Sequence, residues 1–345
     1  AEAVTNAANG IPVTPVIPIR AGLHIEARPG SVKFTGSDGD VTFSTTIKAD
    51  VTTPGAAVVA GRLFSDITKA LPDSDVHVTS TGKIIDISCG SCTFKLPQNP
   101  DEYPVDKHLH PGILGAIPGN DLMEAIGKVM PAVGKNDPNP RFTGMLLDVE
   151  GDVLTIAGAT PYRMAVCDSR WEPKEQAPGK CLVPGWIMER FRKGINSDVV
   201  HVGWNDHTVL FQSGDFTMTA RLLDTDFPDW RKFFPDVPRY QVDPEDLATV
   251  IKRAKLAIFG DAPLELLFYS GDLYVEAGKD ERFSEVLPCG YTGGEYRPLV
   301  GSQLFLDAIT ACEGDCNLGF TGEDKKPIQI TSGNYRSVVV TRRAV

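Results

Sequence analysis

The stretch GDVLTIAGAT, residues 151–160, reads as a half-buried strand springing from a glycine turn, with Val153 and Thr155 alternating against their neighbours. A near copy, GSVKFTGSDG, starts at Gly30, and another, GDLYVEAGKD, starts at Gly271. Aligned on those glycines, the copies lie 121 and 120 residues apart. Self-similarity at a fixed period decides an architecture before any single element does.

Other landmarks keep nearly the same interval. In each copy a strand ends in glycine and enters an amphipathic helix: VVAGRLFSDITKAL with Gly61, LVPGWIMERFRKGI with Gly185, and LVGSQLFLDAITAC with Gly301. A hairpin follows, written HVTSTGKIIDISCGSCTFKLP, then HVGWNDHTVLFQSGDFTMTARLL, then LGFTGEDKKPIQITSGNYRSVVV. Copies one and two close on DEYP at Pro104 and TDFP at Pro228. The helices opening copies two and three, NDLMEAIGKV and EDLATVIKRA, have start signals: Asn120 as an N-cap, and Asp243 as an N-cap with Pro244 at the first helical position. The reading is an α+β protein of three tandem domains, 1–112, 113–237 and 238–345, joined by the Pro-rich linkers PVDKHLHPG and PDVPRYQV. AEAV at the start matches MEAI of the second copy, so the first domain is expected to begin inside its first helix, without the helix start and the strand before it.

With 345 residues, 42% of them hydrophobic, the chain can bury several cores. It has no apolar run of the roughly 18 residues that a membrane-spanning helix needs, and AEAVTNAANG has no signal-peptide pattern. Seven irregularly spaced cysteines suit a reducing compartment, so a cytoplasmic protein is expected, with no membrane partner. CGSC, from Cys89 to Cys92, lacks the second half of a zinc site. The repeat puts Phe216 and Tyr335 where Cys92 stands, which makes that position a packing one.

Catalytic patterns are missing. The Gly-Lys pairs at Lys83, Lys128, Lys135 and Lys180 lack the Ser or Thr of a phosphate loop, and no G-x-G-x-x-G, H-E-x-x-H or G-x-S-x-G occurs. His108 and His110, and Asp206 beside His207, have nothing nearby to complete a ligand set or a triad, and GSDGD at Gly36 lacks the later ligands of a calcium loop. No enzyme activity, cofactor or metal is expected. Thirty-four basic against 45 acidic residues give a net charge of −11, which by itself argues against a nucleic-acid partner. Placement matters more than the total, and Lys69, Lys128, Arg190, Arg192, Lys193, Lys252, Arg253 and Lys255 recur on equivalent helices.

These copies, with PGAAVVAGRLFSDITKALPDSDVHV, TGMLLDVEGDVLTIAGATPYRMAV and TARLLDTDFPDWRKFFP, resemble the bacterial DNA polymerase III beta subunit, the sliding clamp, in a form similar to that of actinobacteria. The resemblance covers essentially the whole chain. It implies a non-catalytic processivity factor in which two chains close head to tail into a ring around duplex DNA, helices inside and antiparallel sheets outside. A separate ATP-driven clamp loader would open the ring, and the polymerase catalytic subunit and other clients would bind through short linear peptides.

Carried over by position, the resemblance puts DNA contact on Lys69, Lys128, Arg190, Lys193, Lys252, Arg253 and Lys255, and the dimer interface on Phe94 and Leu96 against Ile258 and Phe259. The client-peptide pocket falls on Phe142, Ala159, Pro161, Tyr162, Arg163, Met164, Pro228, Lys232, Phe233 and Ile328, with Val338, Val339, Val340, Arg342 and Arg343 from the tail. Three departures bear on the clients. Ala159-Thr160 stands where relatives have Thr-Asp, Thr341 replaces a tail proline with Arg342 in an apolar place, and Thr14 stands where many members have a DNA-contacting base. They fit a divergent copy such as a phage or other mobile element carries. The alternative is a clamp-fold protein that sequesters clients or the host clamp without encircling DNA.

Overall fold

Each glycine that joins a strand to a helix in the repeat does so in space, and at two of the three the chain packs too closely for a side chain. A Cβ on Gly61 would lie 2.1 Å from Ile11, and one on Gly185 would lie 2.5 Å from Val133. The computed structural model describes residues 1–104, 111–176, 179–260, 262–278, 282–323 and 325–342. Its α-helices are α1 (Glu2–Ala8), α2 (Gly61–Ala70), α3 (Gly119–Val129), α4 (Gly185–Arg192), α5 (Pro244–Ala254) and α6 (Ser302–Thr310). Asp243 caps α5 by accepting the Asp246 N–H at 2.9 Å, with Pro244 at its first position. Asn120 is not the cap of α3, which starts one residue earlier at Gly119.

The chain divides into two compact units. One contains Ala1–Met123, Trp171–Pro178 and Ile187–Leu222; the other contains Glu124–Arg170, Gly179–Trp186 and Leu223–Val345. In the first unit a nine-stranded antiparallel sheet runs Glu172–Pro173, Gly115–Pro118, Val199–Trp204, Thr208–Ser213, Phe216–Arg221, Val41–Lys48, Ser31–Ser37, Gly22–Arg28, Gly55–Ala60. A three-stranded sheet, Val76–Ser80, Ile84–Cys89 and Cys92–Pro97, completes it. The second unit has an eight-stranded sheet in the order Cys181–Pro184, Gly144–Glu150, Val153–Thr160, Arg163–Arg170, Tyr335–Val339, Ile328–Ser332, Cys316–Gly319, Arg239–Val242. Its five-stranded sheet runs Phe283–Tyr291, Gly271–Ala277, Pro263–Tyr269, Leu299–Gly301, Thr341–Arg342.

Both large sheets cross from one repeat to the next. In the first unit Phe216 pairs with Thr45 and Ala220 with Val41; in the second Tyr335 pairs with Cys167 and Arg163 with Val339. Beneath the first seam the rings of Phe43 and Phe191 stack on Phe216 at 5.8 and 5.3 Å, all three buried.

The structure shifts the repeat by one residue. Ser31, Val153 and Asp272 open equivalent strands, because each pairs back across a two-residue turn with Arg28, Glu150 and Tyr269. Equivalent positions are therefore 122 and 119 residues apart, not 121 and 120. The glycine does not keep its place in the turn. It is second in Pro29-Gly30 and Ser270-Gly271 but first in Gly151-Asp152, with φ of 80°, 98° and 63°. A left-handed residue is admissible at either central position of a hairpin turn, so an alignment on glycine slips by one.

Truncating the seam should be costly. Phe216→Ala removes a fully buried ring and leaves a cavity worth about 3–5 kcal/mol, so the melting transition of the first unit should fall steeply in calorimetry while that of the second unit holds.

Candidate functional site

The second seam carries a buried apolar cluster. Neighbouring residues of a strand point to opposite faces, so Val338 and Val339 part company. Val338 joins Leu146, Ala157, Ala159, Met164, Val166, Leu182, Phe227 and Trp230 in one buried cluster, edged by half-buried Phe142, Leu223 and Phe234. Val339 and Ile328 belong to a different core, with Phe268, Phe305 and Phe320, and are fully buried there. Of the residues assigned to the pocket from sequence, the fold thus brings Phe142, Ala159, Met164 and Val338 together and takes Ile328 and Val339 away.

The remaining pocket residues divide into a rim and a lock. Tyr162 and Val340, 57% and 41% exposed, meet at the seam's end, where the Val340 N–H donates to the Tyr162 carbonyl at 3.0 Å. Phe233 is exposed, and exposed Lys232 pairs with Asp229 at 3.3 Å. Pro161 is exposed in the two-residue turn before Arg163, and Pro228 is half-buried beside Phe227. Arg163 faces inward: it pairs with Asp307 of α6 at 2.6 Å and donates to the Pro131 carbonyl. It ties the strand to its own unit, and a guanidinium so engaged is not available to a peptide. Arg342 is exposed on the short strand Thr341–Arg342, which pairs with Leu299–Gly301. Arg343 lies outside the described residues, as do His108 and His110.

Trp230 was not legible from sequence as part of the site. Arg231 lies over its ring at 4.3 Å and Arg336 at 4.9 Å, while its Nε1 donates to Asp148 at 3.3 Å. Arg336 is itself held by Asp168 at 2.5 Å, and Arg231 by Asp148 and Glu150 at 3.0 and 2.8 Å. A buried indole whose one donor is satisfied and whose faces meet two cations is a fixed wall.

The first unit has the same groove with its chemistry inverted. A cavity of about 290 Å³ on its nine-stranded sheet is lined by His24, Thr35, Ser37, Thr42, Ser44, Tyr103 and Thr219, among others. By the corrected repeat these stand where Leu146, Ala157, Ala159, Met164, Val166, Phe227 and Val338 stand in the second unit. His24 stacks on Tyr103 at 5.3 Å, and burial lowers its pKa, which keeps the ring neutral at neutral pH. Only the second seam is apolar at this place.

The helix bases differ in availability. Lys69 and Lys252 are exposed, with no ion pair among the described residues. Lys193 pairs with Glu189 at 3.3 Å, Arg253 with Glu285, and half-buried Lys255 donates to Gln303. Two are corrected. Lys128 is 8% exposed between Glu124 at 2.5 Å and Glu313 at 3.3 Å; burial pulls its pKa down, the bonds to both carboxylates outweigh it, and the charge is neutralised inside the unit. Arg190 donates to the Asn9 carbonyl at 2.6 Å, and burial lowers its pKa. The residues assigned to the interface differ in exposure as well. Leu96 is buried and Phe94 half-buried against the first unit's core, and Ile258 packs on the second unit's core. Phe259, 96% exposed, is joined by Leu256 at 85%, which sequence had not singled out.

Among known proteins, the profile described as DNA polymerase III beta subunit, N-terminal domain, matches residues 1–107, and that described as its central domain matches residues 116–229. The chain is 30% identical over 340 residues to the beta sliding clamp of Streptomyces coelicolor, covering 94% of this chain and 90% of that one. It is 30% identical over 297 residues to the beta sliding clamp of Micrococcus luteus, covering 84% and 96%. In fold it matches the DNA polymerase III beta sliding clamp from Pseudomonas aeruginosa bound to griselimycin, with a TM-score of 0.91 at 19% identity over 99% of this chain and 96% of the other.

The wall of the groove can be tested by truncation. Trp230→Ala should lower stability by about 3–5 kcal/mol, read as a lower urea midpoint by circular dichroism. Arg231→Ala, which removes exposed ion pairs, should cost less than about 1 kcal/mol.

Proposed function

We infer, from the premise that the chain belongs to the DNA polymerase III beta subunit family, that it is a sliding clamp: two copies close head to tail around duplex DNA and hold clients on it. One observation carries the ring. Strand Phe216–Arg221 pairs with Val41–Lys48, and its equivalent Tyr335–Val339 pairs with Arg163–Arg170. The third pair of equivalents is Cys92–Pro97 and Phe283–Tyr291, and among the described residues each of these ends its sheet with one edge unpaired. An unpaired edge is a template for another chain, and a heterologous contact between two such edges closes a ring when the rotation permits.

Phe216 faces Thr45 and Tyr335 faces Cys167, so the same register sets Cys92 of one copy opposite Glu285 of the second and Thr93 opposite Ser284. Exposed Leu256 and Phe259 supply apolar area near this contact, where sequence had placed only Ile258 and Phe259. Lys69, Lys193, Lys252, Arg253 and Lys255 are the DNA-facing set, with Lys128 and Arg190 withdrawn. Contacts of this kind reach phosphates, carry no sequence information and let a ring slide. Clients enter at the second seam, landing their apolar anchors on the exposed rim of Tyr162, Phe233 and Val340, beside the cluster that holds Met164 and Val338.

The ring is tested by joining its edges. With Thr93→Cys and Ser284→Cys introduced together, oxidation should yield a disulfide-linked dimer. Loaded reduced onto a nicked circle by a clamp loader with ATP and then oxidised, the ring should survive high salt and leave only when the circle is cut. A chain that stays monomeric, or a complex that escapes from the intact circle, removes the ring and favours a protein that sequesters clients without encircling DNA.

The DNA-facing set is tested by salt. Lys69→Ala with Lys252→Ala should flatten the dependence of log affinity on log salt by about 0.9 for each phosphate that is no longer neutralised. An unchanged slope takes both residues off the DNA.

A further inference from the structure

Two thiols meet at a turn that the clamp reading leaves unused. Cys312 follows α6, and Cys316 opens strand Cys316–Gly319; their Sγ atoms are 3.6 Å apart and hydrogen-bonded. Cys316 is fully buried and Cys312 half-buried, so one thiol is reached from outside and the other only through it. The three residues between them, Glu313, Gly314 and Asp315, are all exposed, and Gly314 has φ 69°. Such a turn can shorten without moving a core. A disulfide needs the sulfurs at about 2.05 Å, an approach the glycine turn can absorb.

The surroundings set which sulfur reacts first. The hydrogen bond between the two sulfurs holds Cys312 below the ordinary thiol range, assisted by the charge of Lys128. Cys316 is pushed up by the same bond and by burial, and burial also pushes Cys167 and Cys181 up. Reactivity follows thiolate content and access, and both favour Cys312.

We propose that Cys312 and Cys316 are a reversible oxidation site, closing to a disulfide when a hydroperoxide reaches the turn. The Cys312 thiolate attacks one peroxide oxygen; an S–O bond forms, the O–O bond breaks, and with hydrogen peroxide the departing hydroxide takes up a proton and leaves as water. The Cys316 sulfur then attacks the sulfenic sulfur, forming S–S and breaking S–O, and the second oxygen leaves as water with the Cys316 proton. Two thiols lose two electrons and the peroxide gains them.

The test uses the reduced full-length chain, hydrogen peroxide as probe, alkylation of the remaining thiols and peptide mapping by mass. The expected product is a peptide cross-linked between Cys312 and Cys316, 2 Da lighter than its reduced parts and restored by dithiothreitol. In Cys316→Ser, oxidation should stop at a Cys312 sulfenic acid that dimedone captures, and Cys312→Ser should leave Cys316 at least tenfold slower to modify. Recovery of Cys312 as free thiol in the wild-type chain, or as sulfinic acid with Cys316 still alkylatable, overturns the proposal. Circular dichroism of both variants checks that each is folded.

Discussion

The backbone ladder between one repeat and the next is the contact on which everything else rests. Single strands and small sheets leave donors and acceptors bare at their edges. Joining Phe216–Arg221 to Val41–Lys48, and Tyr335–Val339 to Arg163–Arg170, pairs four strands that would otherwise end their sheets. Their equivalents in the first and last repeats, Cys92–Pro97 and Phe283–Tyr291, still end their sheets among the described residues. An architecture that solves its edge problem by joining copies has the same solution available for the final pair, between chains.

The seam also explains where a site arises. Each joint lays two strands from different repeats side by side under a loop that ends in Tyr103-Pro104 or Phe227-Pro228, so each makes a shallow groove of the same outline. Substitution within that outline decides its use. Thr42, Ser44 and Thr219 in the first groove correspond to Met164, Val166 and Val338 in the second, which changes a hydrated surface into one that gains by covering apolar area. Because Met164 and Val338 are already packed with Trp230, the apolar surface still open to a partner is the rim of Tyr162, Phe233 and Val340.

The repeat, the strand-to-helix glycines, the Asp243 cap and the α+β class were all legible in the sequence, since each depends on local periodicity or backbone chemistry. What was not legible depends on neighbours distant in sequence. The glycine register slipped because a two-residue turn accepts a left-handed residue at either place. Trp230 and Phe234 were passed over for Lys232 and Phe233, since nothing in WRKFF says which rings a short 3₁₀ turn buries. Val338 and Val339 look alike as letters, and only their pairing partners send one to the groove and the other to the core.

Charge follows the same division. Lys128 and Lys252 both sit in the last turn of a helix that opens a repeat, and sequence treats them alike. Lys128 is itself buried and is tied at its ammonium to Glu124 and Glu313, both exposed, so drawing it outward would break two ion pairs and unpack its stem. Arg253 is paired with Glu285, but in water, where exchanging one exposed anion for another changes little. An acidic protein can therefore serve a polyanion without rearranging its interior. Its outer carboxylates hold surface bases loosely, while a buried base such as Lys128 is held within its own unit.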